Sequence, residues 1–149
     1  MKRKGKIISA LLLVLVCCGI LINIVLASSY YSSLEMDTAT LKGSTRYYTA
    51  GPNKFFIKPT KLTPQEAGEY VQLRVQLNED TGSMCVLVGT RYIDMYKANL
   101  GQTYEENFGY LSAGNKYYYF TTNHDNVDWG YIYAKQGNVL MTSDSGKEL

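Results

Sequence analysis

Between Glu69 and Asn78 the chain alternates strictly: Val71, Leu73, Val75 and Leu77 fall on one side, Tyr70, Gln72, Arg74 and Gln76 on the other. A period of two places these sets on opposite faces of a strand, one face buried and one wet. Asn78-Glu79-Asp80-Thr81-Gly82 then supplies turn chemistry, with glycine free to take a positive φ. The run Ser83–Gly89 is apolar on both sides and predicts a central strand covered on both faces. Further strands are expected at Arg46–Thr49, Lys54–Lys58, Tyr92–Lys97, Phe108–Leu111, Lys116–Thr122, Gly130–Lys135 and Val139–Ser143. Ala50-Gly51-Pro52-Asn53, Ala113-Gly114-Asn115, Asn123 to Asp128 and Gln136-Gly137-Asn138 separate them as turns. Short strands at such spacing predict an all-β chain, a single antiparallel β-sandwich of jelly-roll or immunoglobulin-like type. A helix start is written only at Thr63-Pro64-Gln65-Glu66, where Gly68 would stop it within a turn.

The N-terminus follows another pattern. From Ile7 to Ala27 run 21 residues without a charge, fourteen of them Leu, Ile or Val. As one N-terminal hydrophobic helix they span about 31 Å, close to the hydrocarbon thickness of a bilayer. Lys2, Arg3, Lys4 and Lys6 precede the run and the next basic residue is Lys42, which orients the C-terminal part outward. Residues 7–27 therefore read as a signal anchor giving a single-pass membrane protein with an outer C-terminal domain. The alternative is a signal peptide cleaved at Ala27-Ser28, which leaves a secreted chain. Residues 28–43 are small and polar and read as a spacer, followed by a domain over 44–149.

Composition alters the picture in two places. Beyond residue 27 stand eleven basic and thirteen acidic groups, a net charge of −2, so the overall +2 is a property of the leader. A basic character that would point to nucleic acid is missing from the folding part, and an outer location excludes that partner. Cys17 and Cys18 lie in the apolar run, which leaves Cys85 without an intramolecular disulfide partner. Met84-Cys85-Val86-Leu87-Val88 is apolar, so the thiol is expected to be buried and slow to react.

Catalytic chemistry finds little support. His124 is the single histidine, and with Cys85 it forms a thiol–imidazole pair only on paper, since nothing nearby marks a helix N-terminus or a cation to lower the thiol pKa. Phosphate-cradling glycine loops, G-x-S-x-G and H-E-x-x-H are lacking. Asn123, Asp125, Asn126 and Asp128 bring oxygen donors together, but without the spacing of a calcium loop, and a polar turn uses the same residues. No enzyme, metal or cofactor is therefore expected.

Two surfaces remain as binding candidates. Arg46, Lys54, Lys58 and Lys61 lie in a stretch with no acidic residue, interleaved with Tyr47, Tyr48, Phe55 and Phe56. If Lys54–Lys58 is a strand, Lys54, Phe56 and Lys58 share a basic face with an exposed phenylalanine, suited to an anionic surface. The second is aromatic: all 14 tyrosines, 4 phenylalanines and the tryptophan follow residue 27. Pairing Lys116–Thr122 with Gly130–Lys135 as a hairpin would gather Tyr117, Tyr119, Trp129, Tyr131 and Tyr133 on one exposed face. Tyr118, Phe120, Ile132 and Ala134 would then face the core. Such a face suits sugar rings or a partner strand. The expectation is an exported, membrane-anchored, non-catalytic binding module for a glycan or other cell-envelope component. The alternative is a structural or assembly subunit that pairs through tyrosine-rich strands with another protein.

Overall fold

The computed structural model describes residues 27–37, 40–65, 68–123 and 130–149, apart from the side chain of Phe120. The proposed N-terminal helix, His124, the turn beyond Asn123 and Trp129 lie outside the described residues. Among those described, no helix is long and apolar enough to cross a membrane.

Among the described residues ten strands make up nearly all regular structure: β1 Ser29–Met36, β2 Thr40–Lys42, β3 Arg46–Tyr47, β4 Gly51–Ile57, β5 Lys61–Pro64, β6 Tyr70–Asp80, β7 Cys85–Tyr96, β8 Tyr104–Leu111, β9 Lys116–Thr122 and β10 Gly130–Thr142. They form two antiparallel sheets. The first runs β1-β10-β4-β8, with β5 also pairing β10. The second runs β2-β9-β6-β7, with β3 also pairing β9. One core lies between them. Val71, Leu73, Val75 and Leu77 from β6 meet Phe55 and Ile57 from β4, Ile132, Ala134 and Val139 from β10, and Tyr117 and Tyr119 from β9. The alternation of β6 is thus realised as written, and each fully buried Val or Leu contributes about 1.5–3 kcal/mol.

Several expected boundaries move. The polar stretch read as a spacer contributes β1, whose Leu34 and Met36 enter the core, and β2. Ser28 is held too, accepting from the Ser143 N–H at 2.9 Å. Thr63 and Pro64 lie in β5 rather than at a helix start, and register opposite Tyr131 and Gly130 of β10. Two expected turns are absorbed into strands. Gly51-Pro52-Asn53 opens β4, and Gln136-Gly137-Asn138 lies within β10. Gly137 takes φ 89° there, so the strand turns its facing without ending.

The largest difference is the pairing of β9 and β10. They do not form a hairpin: β9 registers with β6, Leu77 opposite Tyr119, whereas β10 registers with β1, β4 and β5. Ile132 and Ala134 face the core as expected, but on β9 the facing is reversed, and Tyr117 and Tyr119 are 3% exposed. Parity decides this. Matching Tyr119 to the inward Leu77 sends its odd-numbered neighbours inward.

Candidate functional site

The two sheets part along one side, between β1 and the short strands β2 and β3. Among the described residues β1 is paired only with β10, which leaves its other edge open there. Opposite it, the chain leaves β2 at Lys42, crosses Gly43-Ser44-Thr45 and re-enters as β3. Gly43 anchors this link by donating its N–H to the Tyr119 carbonyl at 2.8 Å. A Cβ at Gly43 would stand 3.2 Å from that carbonyl oxygen, so the close approach selects glycine.

The gap is a cleft of about 330 Å³, at the small end of ligand pockets. Phe55, Leu41, Val139, Met141 and Tyr119 form its apolar floor, and Ser32, Ser33 and Ser44 bring hydroxyls to its walls. Ser33 sits where the register of β1 shifts against β10. Arg46 stands at the rim, whereas Lys42 lines the edge with its backbone end and turns its ammonium to the outer face of the second sheet. The Arg46 guanidinium lies over the Tyr30 ring at 5.3 Å, while the Tyr30 hydroxyl donates to the Tyr47 carbonyl at 2.6 Å. Lys42 caps the Tyr118 ring at 4.2 Å. No carboxylate lines the cleft among the described residues, so its charge is positive.

Behind the floor the core is aromatic and polar at once. Tyr119 packs edge-on to Phe108 at 5.4 Å and tilted to Phe55 at 5.3 Å. Its hydroxyl donates to Asn53 Oδ1, and burial holds the phenol well above the ordinary value of 10.0. Tyr48, edge-on to Tyr30 at 5.3 Å, is raised by burial and then by the neighbouring Tyr30, partly offset by Arg46.

The residues expected to bind are scattered. Tyr117 and Tyr119 are core residues, so the five-membered exposed aromatic face is corrected, and Trp129 lies outside the described residues. Tyr131 and Tyr133 remain half-buried on the outer face of the first sheet. There the Tyr131 hydroxyl donates to Glu35 at 3.1 Å, and Lys61 lies 5.0 Å from its ring. Of the basic residues, Arg46 belongs to the second sheet and reaches the cleft. Lys54 and Lys61 belong to the first, and Lys58 follows β4, its N–H donating to the Asn138 carbonyl at 2.9 Å. Lys54 is paired with Glu105 at 2.6 Å. Phe56, expected to be exposed beside Lys54, is 2% exposed and registers beside the fully buried Leu140.

Cys85 is also corrected. The apolar run does not cross the middle of a sheet; β7 is an edge strand, and Cys85 is exposed. A hydrogen bond with the Cys85 thiol, with burial second, pushes Tyr118 up to about 12. The cleft residues Tyr30, Ser32 and Ser33 lie in the stretch read as a spacer, and Ser44 just beyond it. Their one signal was the short alternation Leu34-Glu35-Met36, which marks the end of a strand.

No protein-family model matches this chain, and no curated protein matches it. Among solved structures it is similar to the Yersinia pseudotuberculosis-derived mitogen, with 10% sequence identity and a TM-score of 0.36, over 85% of this chain and 92% of that one. A likeness that distant carries no conclusion about activity.

Proposed function

We propose that the protein is an exported, non-catalytic β-sandwich module, anchored through residues 7–27, that holds an acidic sugar unit of an envelope glycan in the cleft between β1 and the β2–β3 link. The observation that carries this reading is the cleft's lining: an apolar floor, hydroxyl walls and a cationic rim at Arg46. An acidic sugar is the complement of that lining. Its C–H face covers Phe55 and Leu41, its hydroxyls exchange hydrogen bonds with Ser32, Ser33 and Ser44, and its carboxylate or phosphate meets a guanidinium able to bind two oxygens at once. The open edge of β1 adds backbone donors and acceptors, which read hydroxyl groups without side-chain cost. The lining offers no carboxylate, imidazole or thiol among the described residues, which favours binding over bond cleavage. The basic leader and the uncharged 21-residue run support export.

Calorimetric titration with an acidic oligosaccharide, uronate or phosphate-bearing, against a neutral one of equal length tests the reading. Saturable binding of an acidic form, weakened about tenfold or more by Arg46→Ala and blocked by Ser44→Trp, is expected, since charge-assisted hydrogen bonds contribute roughly 1.5–3 kcal/mol. Equal binding of both oligosaccharides, or none of either, contradicts it.

A further inference from the structure

The first half of β7 combines three properties that no other strand edge of the described structure shares. It is unpaired on one side, apolar and free of charge. β6 is its hydrogen-bonded neighbour, and the opposite edge is open. Met84 is 65% exposed, Val86 42%, Leu87 54% and Val88 37%, with Cys85 exposed among them. The register also shifts here. Leu77 faces Gly89 but Asn78 faces Leu87, which leaves Val88 as the extra residue of a bulge. From Gly82 to Thr90 there is no charged residue.

Unpaired edges are ordinarily blunted by charge, because an open apolar edge recruits another strand. The other edges of this structure follow that practice. Glu105 and Glu106 sit on β8, Glu35 on β1, Lys42 on β2 and Arg46 on β3. The open stretch of β7 also has a definite end, since Arg91 Nη1 donates to the Thr90 carbonyl at 2.8 Å and occupies it.

We propose that this stretch, Cys85–Gly89, is a homodimer interface, joined edge to edge and antiparallel with the same stretch of a second copy. The second copy fits on charge and on shape. A two-fold axis through Leu87 sets Leu87 against Leu87 of the other copy, Val86 against Val88, and Cys85 against Gly89. Every apolar residue then meets an apolar residue, and no charge is brought against an apolar side chain. Such an interface is closed: the same patch serves both copies and leaves no free edge to propagate. It joins the second sheets of two copies into one continuous sheet and leaves the cleft, on the far side past β6 and β9, open in both. In this register the two thiols stand four residues apart along the strands, about 14 Å.

The test uses the full chain in detergent micelles, with Cys17→Ser and Cys18→Ser so that Cys85 is the single thiol. Analytical ultracentrifugation should show a concentration-dependent dimer, and a bismaleimide of about that span should trap it through Cys85. Val86→Glu with Val88→Glu sets like charges opposite one another and should weaken the dimer about tenfold or more. Val86→Lys with Val88→Lys should do the same. Mixing the two variants places Glu opposite Lys at every charged position and should restore the dimer as a mixed pair, which a merely unfolded variant cannot do. A monomeric parent chain at about 100 μM (a Kd well above the range of standard interfaces) overturns the proposal. So does a dimer that persists unchanged in both variants, since association then runs through another surface.

Discussion

The Tyr119 hydroxyl donates to Asn53 Oδ1 across the middle of the core, joining β9 of the second sheet to β4 of the first. Both residues are almost entirely buried, and Asn53 Nδ2 has no partner among the described residues. The bond therefore does more than add an attraction: it keeps a buried carbonyl from being stranded. Tyr119→Phe removes the donor and is expected to cost about 1–3 kcal/mol. Pairing it with Asn53→Leu should recover part of the loss, because an apolar pair leaves nothing unsatisfied. Urea unfolding of the two variants measures this, and a Tyr119→Phe variant as stable as the parent contradicts the assignment.

The same burial makes stability depend on alkaline pH. Tyr119 and Tyr48 are held above 10.0, chiefly by desolvation of the phenolate. In the unfolded chain they ionise near their ordinary value, whereas in the fold they stay protonated. Above that value the unfolded state binds fewer protons, so stability falls as pH rises. The stabilisation is full below about pH 10 and is lost above it. Thermal unfolding followed from pH 8 to 11.5 should show a steepening loss past pH 10, and the slope should be shallower in Tyr119→Phe. A flat profile over that range contradicts the burial of the two phenols.

Cys85 should react fully with a maleimide in native buffer, with no need for denaturant, because it lies exposed on an edge strand. Labelling that appears only after unfolding would place β7 inside the molecule.

Gly130 tests how closely β10 approaches β5. A Cβ there would lie 2.5 Å from the Thr63 carbonyl oxygen, 2.7 Å from Pro64 Cα and 3.0 Å from Val71 Cγ2. Two of these atoms are backbone and cannot rotate away. Gly130→Ala is expected to cost about 1–3 kcal/mol through overpacking, read as a lower midpoint in urea. A neutral substitution would mean that the two strands stand further apart.

Much of the fold was legible where burial has one sign along a strand. The alternation of β6 gave its facing, and the all-β class followed from short runs between turn residues. The facing of β9 was not legible, because Lys116–Thr122 carries aromatics at both parities and only its partner strand decides which enter the core. β1 was hidden for a related reason: three serines and two tyrosines carry little hydrophobic contrast, and the strand is held by pairing with β10. Cys85 was misjudged because an apolar run reads alike at the centre and at the edge of a sheet. The cleft depends on the first two of these features, since Tyr119 of β9 forms part of its floor and it lies where β1 and the β2–β3 link fail to pair. Of its rim, the sequence singled out Arg46 alone among the predicted site residues.

The central claim is that the gap between β1 and the β2–β3 link takes an acidic sugar at Arg46. The most direct measurement is a titration of isotopically labelled protein with a uronate oligosaccharide, following the amide signals of Ser32, Ser33 and Ser44 and the Nε–H of Arg46. The account predicts saturable shifts at these four positions, absent with a neutral oligosaccharide and lost in Arg46→Ala while the rest of the spectrum is unchanged. Shifts centred on the outer face around Tyr131 and Tyr133, or shifts at the cleft that persist in Arg46→Ala, would contradict it.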